Sequence, residues 1–167
     1  MLKKDLRRLA AIFAVLAGLL PLPAAGESGG IRLPAAESVT ELSVTAGSRS
    51  FVYRRSGGGM RVNGGEADEE VFSTLMRQIC GALQGEAETD TPAGEPLLTV
   101  QIGTGNGRQT VCFYADGADR SRALVLSTGD GGETVLGTEA WRVGTILLAC
   151  EGTQIPAQDE EPGTDHN

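Results

Sequence analysis

The sequence predicts an α+β domain: an antiparallel meander sheet with two amphipathic helices packed on one face. Three observations carry this. Short segments alternate apolar and polar residues with period two, and Gly-, Asn- and Asp-bearing turns separate them. Two longer segments repeat apolar residues at spacings of three and four. The order of strands followed by a helix also occurs twice, as βββ(β)α, which raises the expectation of an internal duplication.

Residues 1–26 read as an export signal. Lys3, Lys4, Arg7 and Arg8 precede an uncharged apolar stretch from Leu9 to Leu20, then Pro21, Pro23 and the small residues Ala24-Ala25-Gly26. A basic start, a short apolar run and small residues at the end are the pattern of a secretory signal peptide. A membrane span needs about 20 apolar residues, so the segment is expected to be cleaved; if kept, it would serve as an N-terminal anchor. Residues 27–37 form a small-residue leader.

From Val39 the strands begin. Thr40, Leu42, Val44 and Ala46 share one face of the first, and Ser50 to Arg55 returns through Phe51, Val52 and Tyr53. Met60 to Val62 is a third, closed by the turn Asn63-Gly64-Gly65. The first helix follows, with Ala67, Val71, Phe72, Leu75, Met76, Ile79, Ala82 and Leu83 as its stripe and acids Glu66, Asp68, Glu69 and Glu70 at its positive end. Residues 85–96 carry four acids and two prolines and read as a solvated acidic loop. Leu98 to Ile102, Thr110 to Ala115, Arg122 to Ser127 and Thr134 to Leu136 continue the sheet. The second helix spans Glu139 to Cys150 with Thr138 as its N-cap and a stripe of Ala140, Val143, Gly144, Leu147 and Leu148. Val62-Asn63-Gly64-Gly65-Glu66-Ala67 aligns with Val135-Leu136-Gly137-Thr138-Glu139-Ala140. Residues 38–151 thus make one domain, and 152–167 an acidic tail expected to be disordered.

Composition removes whole function classes. The only lysines are Lys3 and Lys4 and the only histidine is His166. Ser-His-Asp and Cys-His hydrolysis, His-ligated zinc and a P-loop lysine therefore have no residues to build them in the domain. The chain has 14 Lys+Arg against 22 Asp+Glu, a net charge of −8, and loss of the signal segment makes it more acidic. Such a chain repels phosphate backbones, so nucleic acid is not an expected partner. Gly103-Thr104-Gly105-Asn106-Gly107-Arg108 reads as a hairpin turn, because a strand follows it where a phosphate loop needs a helix. Asp116, Asp119 and Asp130 are turn residues before they are metal ligands. No cofactor, metal or catalytic residue is assigned.

Two residue groups remain. Cys80 and Cys150, each near a helix end, are either small buried hydrophobes, the favoured reading, or the partners of a helix-to-helix disulfide; Cys112 lies within a strand. Arg49, Arg54, Arg55 and Arg61 cluster on the first strands and mark a contact face for a protein segment or an anionic envelope polymer, since guanidinium grips carboxylate and phosphate bidentately. A solvated, charge-balanced sheet face is the plainer reading of the same arginines.

Residues 38–150, through Val62, Asn63, Gly64, Ala67 and Asp68 in an nG-x-x-a-D turn between a short strand and a helix, resemble a bacterial extracytoplasmic domain family of unknown function often encoded beside gliding-motility-type ABC transporters. That family's tryptophan near the position of Met60 is absent here. The resemblance implies an extracytoplasmic, non-catalytic β-α module. The expected function is an exported accessory or binding module of the bacterial cell envelope. A small hydrolase using carboxylates alone and a structural envelope protein held by an uncleaved signal anchor are the alternatives.

Overall fold

The computed structural model describes residues 30–57, 59–129 and 132–152. The expected signal segment, the first leader residues and the acidic tail lie outside the described residues. Among the described residues nine strands form one antiparallel sheet: β1 (Val39–Ala46), β2 (Arg49–Ser56), β3 (Gly59–Val62), β4 (Gly65–Ala67), β5 (Glu86–Ala87), β6 (Leu98–Thr104), β7 (Gly107–Ala115), β8 (Arg122–Gly129) and β9 (Gly132–Glu139), in the spatial order β4-β3-β2-β1-β6-β7-β8-β9-β5. Helix α1 (Glu69–Ala82) follows β4 and helix α2 (Ala140–Gly152) follows β9. Two meanders thus meet along β1 and β6, where Leu42 pairs with Ile102 and Val44 with Val100.

Alternation builds one buried face. The rows Tyr53–Leu42–Ile102, Phe51–Val44–Val100–Val111 and Leu98–Phe113–Val125–Leu136 run across the strands, and almost every member is fully buried. The first strand departs from strict alternation. Its register shifts between Val39 and Glu41, so Val39 is buried and Thr40 turns outward, donating its hydroxyl to the Gly103 carbonyl at 3.1 Å. The expectation that Thr40 shares the face of Leu42 is therefore corrected: a bulge adds one residue and breaks the period of two.

Helix α1 starts where its chemistry directs. Asp68 sits at the N-cap, and its Oδ1 accepts the amides of Glu70 at 2.7 Å and Val71 at 3.4 Å, satisfying donors that have no partner inside the helix. Phe72, Leu75, Met76, Ile79 and Ala82 are its buried stripe. The Phe72 ring lies 5.6 Å from that of Tyr53, whose hydroxyl donates to the Cys150 carbonyl in α2 at 3.5 Å. One tyrosine therefore touches both helices.

Two strands were not expected from the sequence. Gly65–Ala67 form a strand, β4, and not only a turn into the helix. Asn63, at φ 50°, lets the chain reverse, while its side chain accepts from the Val52 amide at 2.9 Å and donates to the Ser50 carbonyl at 3.2 Å, acting as a further rung beside β2. Residues 86–87 of the acidic loop pair with Gly137 and Leu136 of β9. Gly85 permits this, since a Cβ there would strike the Gly137 carbonyl oxygen.

The start and buried side of α2 also move. Thr138 is not its N-cap but a buried residue of β9; the Ala140 amide is satisfied instead by the Ser121 carbonyl at 2.9 Å. Val143, Ile146 and Cys150 face inward, while Gly144 and Leu148 of the expected stripe are exposed. The helix is apolar on nearly every side, so its sequence does not single out one face. The two aligned hexapeptides occupy different settings as well: Asn63-Gly64 make a turn, whereas Leu136-Gly137 lie within a strand. Among the described residues no helix is long and apolar enough to cross a membrane.

Candidate functional site

The four arginines divide between the two sides of the sheet. Successive residues of a strand point to opposite faces, so Arg54 and Arg55 cannot serve the same surface. Arg49 and Arg55 share the parity of Phe51 and Tyr53 and end in ion pairs with helix acids: Arg49 with Glu151 of α2 at 2.7 Å and Arg55 with Glu69 of α1 at 2.6 Å. Arg55 also donates to the carbonyls of Val39 and Ala36, both at 3.4 Å. These two tie sheet to helix. Only Arg54 and Arg61 are brought together, directly opposite one another across β2 and β3.

The opposite face continues from that pair as a single charged row. Glu66 pairs with Arg61, Arg61 with Arg54, Arg54 with Glu41, Glu41 with Gly103, and Gly103 with Arg108. Glu41 bridges two of the arginines, at 3.0 Å from Arg54 and 3.4 Å from Arg108. With strands about 4.8 Å apart, Arg61 and Arg108 stand about 19 Å from one another. Gly103 adds no side chain between them. Arg108 was missed in the sequence because it is 47 positions from Arg61; the Gly105-Asn106 turn and strand parity are the signals that could have found it.

Beyond this row the same face becomes apolar. Cys112, Leu126 and Val135 are cross-strand neighbours, and Tyr114 stands opposite Leu124; all five are half-buried. Burial, followed by the Cys112 thiol beside it, raises the Tyr114 phenol above its ordinary value. A basic row and an apolar patch thus lie diagonally across one sheet surface.

The other candidates resolve locally. Asp116 Oδ1 accepts the amides of Ala118 at 2.8 Å and Asp119 at 3.3 Å, and Asp119 Oδ1 accepts the amide and hydroxyl of Ser121 at 2.8 and 2.7 Å. The serine hydrogen bonds hold the Asp119 carboxyl below its usual range. These are turn-forming side chains; Asp130 lies outside the described residues. No group of three metal-ligating side chains occurs among the described residues. Thr104 and Gly107 close the β6–β7 hairpin, with the Asn106 amide donating to the Thr104 hydroxyl at 3.3 Å.

Among the described residues there is no disulfide: Cys80 and Cys112 are half-buried thiols and Cys150 a fully buried one. Burial pushes the Cys150 thiol up to about 11 from 9.0. The folded state therefore binds this proton more tightly than the unfolded chain. Its stabilisation is present below pH 9 and lost as pH rises towards 11. Unfolding free energy is expected to fall by up to about 2 kcal/mol across that window, a slope that Cys150→Ala should flatten in urea titrations at successive pH values. An unchanged slope in the variant would assign the alkaline loss to other groups.

Comparison with protein-family models, curated proteins and solved structures finds no match.

Proposed function

We propose that the protein is an exported, non-catalytic binding module of the bacterial cell envelope, presenting the Arg54–Arg61–Arg108 face of its sheet to an acidic protein segment. The observation that carries this is the direct opposition of Arg54 and Arg61. Like charges facing each other across strands cost stability, and Arg61 makes no ion pair among the described residues. A local conflict of this kind is what a surface shaped for a partner retains. Arginine's planar fork matches carboxylates two at a time, and the neighbouring Tyr114, Leu124, Leu126 and Val135 offer apolar area that a polymer of anionic groups would leave uncovered. The basic and apolar start of the chain supports export.

In this reading both helices lie on the Tyr53 side of the sheet, which leaves the charged row accessible. The mirrored order β4-β3-β2-β1 and β6-β7-β8-β9, each run followed by a helix, supports descent from a duplicated unit.

The test is photocrosslinking in producing cells, with the crosslinker at position 101 on the charged face or at position 77 on the outer side of α1. A discrete protein adduct from position 101 alone is expected, reduced at least about tenfold by Arg54→Glu with Arg61→Glu, since each charge-assisted contact contributes about 1.5–3 kcal/mol. An intact mass beginning near Glu27 would accompany it. Equal adducts from both positions, or an adduct indifferent to the charge reversals, would overturn the reading. An adduct with a polymer in place of a protein would replace the partner named here.

A further inference from the structure

The buried face of the sheet does not stay apolar to its corner. The row Phe51–Val44–Val100–Val111 continues into Ser127 and Thr134, and the row Tyr53–Leu42–Ile102 continues into Gln109. Ser127 is only 5% exposed. Burying hydrogen-bonding groups costs free energy that valine or leucine at the same positions would not incur. Gln109 donates its Nε2 to the Ser127 Oγ at 3.1 Å, which leaves the serine proton to donate elsewhere.

The leader closes over this corner. Ile31 is buried, and Gly30–Arg32 and Pro34 line a cavity of about 420 Å³ together with Ile102, Gln109, Ser127 and Thr134. That volume lies within the range of small-molecule sites. Among the described residues its charged lining members are Arg32 and Arg108. Arg108 is engaged by Glu41, while Arg32 has no ion pair or hydrogen bond among the described residues.

We propose that this corner cavity binds a small organic carboxylate carried on an apolar group. The carboxylate accepts from the Arg32 guanidinium and from the hydroxyls of Ser127 and Thr134, and the apolar part rests on Ile31 and Ile102. A charged fork with neighbouring hydroxyl donors suits a carboxylate, and the flanking isoleucines suit a short alkyl or branched side chain. Ser127, Gln109 and Ile102 face the other side of the sheet from the Arg54–Arg61 pair; Arg108 alone belongs both to that charged row and to the cavity lining, and none of the proposed carboxylate contacts uses it.

The full chain, labelled with ¹⁵N, is titrated with octanoate and with N-acetyl-leucine, and with octanamide as the uncharged counterpart. The expected result is saturable amide shifts centred on Arg32, Gln109, Ser127 and Thr134 for at least one carboxylate, with octanamide at least about tenfold weaker. Arg32→Gln and Ser127→Ala should each weaken the carboxylate about tenfold. If Ser127→Ala fails to fold, Arg32→Gln decides, because Arg32 is exposed and makes no ion pair or hydrogen bond among the described residues. Absence of saturable shifts with both carboxylates overturns the proposal. So do equal binding of octanamide, indifference to Arg32→Gln, or shifts centred on the exposed Trp141 and Leu148.

Discussion

Replacing Phe72 by alanine is expected to lower the unfolding free energy by about 3–5 kcal/mol. The ring is fully buried and tilted at 49° against Tyr53, itself fully buried and hydrogen-bonded to the α2 backbone. Truncation therefore removes apolar burial, leaves a cavity between helix and sheet, and takes away the neighbour that fixes Tyr53. Tilted aromatic pairs add about 0.5–1.5 kcal/mol beyond their buried area. A domain of this size has about 5–15 kcal/mol in total, so the variant should be marginal at 37 °C. Urea unfolding followed by circular dichroism measures the loss, and Phe72→Leu, expected to cost less, gives a graded point if the alanine variant does not fold. A loss below about 1.5 kcal/mol for the alanine variant would show that the helix–sheet contact is loosely packed.

Among the described glycines, Gly85 is the one where an added Cβ collides with backbone, so Gly85→Ala should be strongly destabilising. The new Cβ would meet the backbone carbonyl oxygen of Gly137, which no rotamer change relieves. Either β5 detaches from β9 or the sheet edge distorts, at a cost of about 2–3 kcal/mol. Hydrogen exchange distinguishes local from global effects: protection should vanish first at the Glu88 amide, which donates to the Val135 carbonyl at 3.0 Å. Freeing β9 also bares a row of unpaired edge groups, so the variant should self-associate as concentration rises. The control is Gly105→Ala, where a Cβ meets open space and stability should change by less than about 0.5 kcal/mol. Equal stability of the two variants would refute the close approach.

What could be read in advance follows from how strongly each segment commits itself. Helix α1 was legible because its apolar spacing, its acidic first turn and its Asp68 cap all agree. The long strands were legible from alternation. Strands β4 and β5 were not, since two or three residues carry no period, and β5 lies beside a close approach to the Gly137 backbone that only a glycine at 85 permits. Helix α2 lacks a polar side to orient it, and Trp141 and Leu148 remain 54% and 68% exposed. The arginine cluster shows the limit most clearly. Proximity along the chain grouped Arg54 with Arg55, which point apart, and hid Arg108, which pairing brings to the same row. Parity within a strand is in the sequence; register between distant strands is not. The corner cavity was invisible for the same reason, as its polar residues come from four strands and the leader.

The seam between β1 and β6 has a kinetic consequence. Every other long strand pair in the sheet joins neighbours in the chain through a short turn, a step that takes microseconds. The seam joins Leu42 to Ile102 and so must close a loop of about 60 residues before its contacts repay the lost chain entropy. Folding should wait on that closure, with both meanders flickering in and out of structure beforehand. Stopped-flow refolding of Val100→Ala, at the seam, should be slowed, whereas Leu136→Ala, far from it, should chiefly speed unfolding. The reverse pattern would place the rate-limiting event within one meander.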